Sequence, residues 1–279
     1  MPKFKKKNSD KFVLPFFPAI SLFLAKLGEK FSFLKWFDPF TYVDIFIMPK
    51  VKKITNNEYV EMGVNIFFAL IFAFAIYSLL GIIFGTATPL VIVYSASMEN
   101  TFFRGDVMAL GRANVNDNFG EEITLNRSIN GVQTIDYVTP NYSLGKLVSL
   151  TFKDLNGETK EVPLVQTGNV VVYPAFPSGL PIIHRGIVKI NAIDGVFVLT
   201  KGDNMVTNPT FDQDCGKITP ELNLPQKPCI SFYANKVDKL VGKTFFMIPK
   251  VGCVKLWLLD DLFSLILTGS LPRDFTGFC

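Results

Sequence analysis

From residue 62 to residue 98 the chain carries no charged side chain, and the stretch "IFFALIFAFAIYSLLGIIF", Ile66 to Phe84, is apolar almost without a break. About 20 such residues are enough to cross the hydrocarbon core of a bilayer. A buried core helix rarely runs this far without a polar face. The run therefore predicts a membrane-spanning helix over 63–85, with everything else built around it.

Charge distribution sets the expected orientation. Residues 1–62 hold 11 Lys and 6 Asp or Glu, a net +5, and the whole chain is +4, so the remainder is −1. Lys50, Lys52 and Lys53 lie just before the span, and no basic residue follows it until Arg104. Basic residues stay on the cytosolic side, so residues 1–62 are read as a cytosolic or interfacial segment and everything after Phe84 as extracytoplasmic. The excess sits beside a membrane span and leaves the rest near neutral, which argues against nucleic-acid binding. Phe12 to Ala25 is apolar, but too short to span and broken by Pro15 and Pro18, and is expected to lie at the membrane interface.

After the span the pattern changes to short strands with turn signals. "PLVIVYS", "GDVMALG", "NVVVYP" and "KTFFMIP" read as strands. Asn156-Gly157 and Asp194-Gly195 each sit between alternating runs and predict hairpins. The expected fold is mostly β: one extracytoplasmic domain over 86–253, with an irregular insertion near 113–144, on a single N-terminal transmembrane helix. The tail 254–279 is apolar but interrupted by Asp260 and Asp261, which suits a membrane-surface segment better than a second span.

All four cysteines, Cys215, Cys229, Cys253 and Cys279, lie in the C-terminal third. An extracytoplasmic location permits disulfides. Cys215 and Cys229 bracket the Pro-containing "GKITPELNLPQKP" and are the candidate bridge. With no CxxC and a single His, no metal site and no cofactor are expected.

The chemistry-bearing residues cluster around Ser95 and Ser97, which follow the span, and around His184. A serine becomes a nucleophile when a base can take its proton. His184 lies on the first strand of the second hairpin. Pairing about a turn near Asp194 matches residues whose numbers sum to about 387, which sets His184 opposite Asp203 on one face. An acid there would orient the imidazole.

These residues carry a family resemblance. "SASMENTFFRGD" resembles the serine box of type I signal peptidases, "IIHRGIVKI" the base box of their archaeal and endoplasmic-reticulum form, "FVLTKGDN" the acid box, and "VGKTFFMIPKVGCVKLWL" the segment that follows. The resemblance implies a membrane-anchored serine endopeptidase with a signal-peptidase-like β domain. Ser97 would be its nucleophile and His184 its general base. Ser95 and the backbone N–H of Ser97 would form the oxyanion hole. Asp203 would be the main acid, with Asp212 second and Asp214 as its rival. The implied partners are signal-peptide-bearing preproteins, membrane lipid, and translocon or accessory subunits, at the cell membrane or the endoplasmic-reticulum membrane. Ala96 and Asn100 stand where the family has Gly and Pro, and "MVT" is inserted after the acid box. The competing readings are a relative dedicated to one class of precursors and a catalytically silent, membrane-anchored peptide-binding or scaffold domain of a translocon.

Overall fold

The computed structural model describes residues 39–55, 57–215, 218–219, 224–225 and 229–271. The interfacial segment expected at Phe12 to Ala25, and Cys279, lie outside the described residues. The chain divides into two units, Met1–Ile76 and Tyr77–Cys279.

The first unit contains a helical stretch from 39 to 54 and most of α1, Glu58–Phe84. Asn57 starts α1: its Oδ1 accepts the Tyr59 N–H at 2.9 Å. Glu58 and Glu61 sit in the first turn, where the helix dipole favours negative charge. Gly85, at φ +68°, ends the helix in the left-handed conformation open to glycine. No residue of α1 is buried. It is the one helix among the described residues long and apolar enough to cross a membrane.

The second unit is mostly β. Its main sheet has eight strands. Seven run in the order β1 (Leu90–Ile92), β2 (Val107–Gly111), β13 (Gly242–Ile248), β7 (Val170–Pro174), β8 (Pro181–Ala192), β9 (Gly195–Lys201) and β12 (Asn235–Lys236). The eighth, β3 (Glu121–Thr124), pairs in parallel with β8. A second sheet joins β4 (Val138–Ser143), β5 (Lys146–Lys153) and β6 (Thr159–Pro163), and β10 (Ile218–Thr219) pairs with β11 (Leu224–Pro225). Both expected hairpins form, as β5–β6 and β8–β9. The stretch read as irregular, 113–144, is more ordered than expected: it supplies β3 and β4.

Side-chain alternation on β9 explains the core. Phe197 and Leu199 face a cluster with Ile123, Leu150 and Phe152, whereas Val198 faces one with Phe119, Val171 and Tyr173. On β8 the alternation breaks, because Ile187 and Val188 both join the first cluster. The cause is a bulge. Gly186 pairs with Thr200 and Val188 with Leu199, so Ile187 is the extra residue.

Cys215 and Cys229 are joined by a disulfide across a separation of 14 residues. Cys253 is also disulfide-bonded. Closing a loop of the first size restricts the unfolded chain by about 3 kcal/mol. Replacing Cys215 and Cys229 together by Ser should lower unfolding free energy by about that amount. Denaturant titration in detergent measures it, and an unchanged midpoint would refute the estimate.

Candidate active site

The serine box folds as a tight turn after β1. Ala96–Met98 is one turn of 3-10 helix, so Ala96 has an ordinary right-handed backbone and the missing glycine is harmless. Asn100 stands at φ +81°, a conformation Asn tolerates and the fixed ring of proline forbids. The Ser95 and Ser97 hydroxyls lie 3.0 Å apart. Ser95 is exposed and Ser97 half-buried, whereas Met98 is fully buried. Asp106 is structural: its carboxylate accepts the N–H groups of Phe103 and Lys250 at 2.8 and 3.0 Å.

The residues after β9 hold this turn in place, and each position of "GDN" has its own task. A Cβ on Gly202 would sit 2.7 Å from the Ser97 carbonyl oxygen, so only glycine lets the two segments approach. Asp203 accepts the Thr101 hydroxyl at 2.6 Å. Asn204 donates its backbone N–H to the Ser97 carbonyl and its amide to the Ala96 carbonyl, each at 2.9 Å. The inserted "MVT" is accommodated in a turn closed by Asn208 N–H to the Asn204 carbonyl at 2.8 Å.

His184 is buried, with 2% of its surface exposed. Its Nδ1 lies 2.7 Å from Oδ2 of Asp212, itself 3% exposed. Asp203 does not occupy that place. It holds Arg185 in a two-pronged pair, Nε to Oδ1 at 2.8 Å and Nη2 to Oδ2 at 2.6 Å. The expected His184–Asp203 pairing is therefore corrected by the bulge. Below Ile187 the register slips by one, and Arg185 pairs with Lys201. The slip hands Asp203 to Arg185, because a one-residue shift exchanges the faces of a strand. Asp212 instead reaches His184 from a loop whose N–H bonds the Thr200 carbonyl at 2.9 Å. Asp214 accepts the hydroxyls of Tyr142 and Thr210 at 2.5 and 2.6 Å.

Electrostatics favour an ionised Asp212. Burial on its own would raise its carboxyl, but the His184 charge and ring hydrogen bond bring it below the usual range. Lys201, with 0% exposed, points its amine at the carbonyls of Gly202 and Asn208, at 2.8 and 2.7 Å. Burial pushes this ammonium down, against the pull of Asp212 and Asp203. Sequence reasoning missed Lys201, Thr101 and Tyr173. The Tyr173 hydroxyl donates to Asp212 Oδ2 at 2.7 Å. Among the described residues no cluster of three or more His, Cys, Asp or Glu could hold a metal ion.

A buried acid–imidazole pair that includes a residue of β8, and a two-serine turn packed against that strand, are the parts a hydrolytic serine enzyme needs. The catalytic subunit sec11 of the Schizosaccharomyces pombe signal peptidase complex is 22% identical over 222 residues, 79% of this chain and 94% of that protein. The corresponding SEC11 subunit of Saccharomyces cerevisiae is 25% identical over 201 residues, 72% of this chain and 83% of its own length. The chain is similar to signal peptidase catalytic subunits. The resemblance carried by the four boxes is thus borne out by alignments that cover most of both relatives. No family model matches the chain.

Proposed function

We propose that this chain is a membrane-anchored serine endopeptidase that removes signal peptides from exported preproteins. The observation that carries the reading is the buried His184–Asp212 pair, on a strand against which the serine turn packs, with that turn clamped by the Gly-Asp-Asn box. In the reaction, Ser97 Oγ attacks the scissile carbonyl and His184 Nε2 takes its proton. Asp212, on Nδ1, fixes the tautomer and stabilises the imidazolium. Ser95 and the Ser97 N–H stabilise the oxyanion. His184 then returns the proton to the leaving amine. A water, deprotonated by the same His184, releases the acyl group from Ser97.

The fold suits an extended substrate. β1 ends the sheet, and its outer edge pairs with no strand among the described residues. A peptide added there would run directly to Ser95 and Ser97. Exposed Phe245, Phe246, Trp257 and Leu258 supply apolar surface that suits contact with lipid. Asp261, one of the two acids that interrupt the tail, is buried 3.5 Å from Arg104 and ties the tail to the residues after the serine box. The relatives are named as subunits of a signal peptidase complex, which supports accessory subunits here. The same names and the buried pair speak against a silent scaffold.

Incubating the detergent-solubilised chain with a model preprotein tests the activity. Cleavage at the signal-peptide junction is expected; an intact precursor despite a folded enzyme would sink the reading. Orientation is tested separately. Protease added outside sealed, right-side-out vesicles should spare residues 1–62, and their digestion would reverse the topology argued from the lysines.

A further inference from the structure

Asp212 Oδ2 receives two hydrogen bonds, from the His184 ring and from the Tyr173 hydroxyl, each 2.7 Å long. Asp212 Oδ1 is buried and receives none from the described residues. Tyr173 is fully buried on β7, where Val171 pairs with His184 and Tyr173 with Ile182. Tyr173 is thus two residues along from the partner of His184 and on the same face. Burial, then the Asp212 charge, push its hydroxyl well above the phenol range, so it remains a donor throughout the working pH range.

We propose that Tyr173 is a positioning residue that sets, through Asp212, the pH at which His184 becomes a competent base. This rests on the Ser97, His184 and Asp212 reading. The phenol and the imidazole compete for one carboxylate oxygen. Charge drawn toward Tyr173 is withheld from the imidazolium, so the pair holds its shared proton less tightly. The other groups near the pair are Thr200 and Lys201 from β9: the Thr200 hydroxyl bears on both Asp212 and Tyr173, and the Lys201 charge acts on Asp212. Asp203 is held by Arg185, and Asp214 by Tyr142 and Thr210.

Removing the phenol oxygen should therefore raise the proton affinity of His184. In Tyr173→Phe, the acid limb of the kcat/KM profile should move up by about one pH unit, since hydrogen bonds to ionised groups are among the stronger ones. Activity then falls about ten-fold on the acid side of the limb and stays within a few-fold on the alkaline plateau, with KM unchanged. A purely structural role would lower stability and leave the limb in place.

The chain has one His, so the imidazole NMR signal reports His184 alone. Its titration in a Ser97→Ala background, with and without Tyr173→Phe, gives the shift without turnover. Coincident titration curves, or a downward shift, would overturn the proposal. Asp212→Asn in the same background separates the two readings. If it leaves the imidazole titration unmoved, the His184–Asp212 pair itself is wrong and the proposal falls with it. If Asp212→Asn moves the titration and Tyr173→Phe does not, only the role of Tyr173 is lost.

Discussion

Replacing Ser97 by Ala should bring preprotein cleavage down to background, with the variant folded and inserted as before. In the proposed reaction this hydroxyl bonds to the scissile carbonyl; Ala96 and Met98 flank it, and the neighbouring Ser95 is assigned to the oxyanion. His184→Ala should be equally inactive, and the double variant no worse than either, because both act in one proton-transfer step. Losses on the order of 10⁶ in turnover are known when such a unit is broken. His184→Lys should not restore activity. An ammonium 184 would pair with Asp212 as a fixed charge and lack a proton-accepting atom for Ser97. Single-turnover cleavage with radiolabelled precursor has the range to measure these losses. Normal turnover by either alanine variant would remove Ser97 and His184 from the mechanism.

The second large effect separates two aspartates. Asp212→Asn should lose up to about 10⁴ in turnover, because a neutral amide at Nδ1 permits the wrong tautomer and no longer stabilises the imidazolium. Asp203→Asn should be chiefly a stability defect. It breaks a two-pronged pair with Arg185 in which the Asp203 side chain is 7% exposed. Leaving a partner charge buried costs up to about 3–5 kcal/mol, and less here because the Arg185 side chain keeps 17% exposure. Its rate, measured on the folded fraction, should fall far less than that of Asp212→Asn. Asp214→Asn should be close to neutral in rate. If Asp203→Asn is the inactive variant and Asp212→Asn turns over normally, the orienting acid is Asp203 and the loop contact seen here is not the working one.

The contrast between these acids shows where sequence reasoning reaches. The apolar helix, both hairpins and their turn residues follow from composition and side-chain alternation, which are local. The proposed nucleophile and base stand out for the same reason: two serines after a long apolar run, and a single His on a strand. The carboxylate that bonds His184 does not, because the deciding feature is the extra residue at Ile187. Nothing in "HRGIVKI" marks which residue will bulge, yet that one residue decides which face meets which. The contribution of Tyr173 was hidden similarly. Its register against His184 depends on the connection "AFPSGL" between β7 and β8, which has no two-residue turn signature to count from. Within 113–144, the polar composition concealed β3, since a strand laid in parallel beside β8 needs only Ile123 to face the core.

The Asp212 peptide is fixed from both sides. Its N–H bonds the Thr200 carbonyl, and its own carbonyl accepts the N–H groups of Ile230 and Ser231 at 3.0 and 3.1 Å. Ile230 directly follows Cys229, so the chain leaves the site at Cys215 and returns at a point already fastened to Asp212. The Cys215–Cys229 bridge is thereby fastened to the same peptide as the proposed orienting acid, so reducing it would loosen the backbone that aims Asp212 while leaving the covalent chain around Ser97 and His184 untouched.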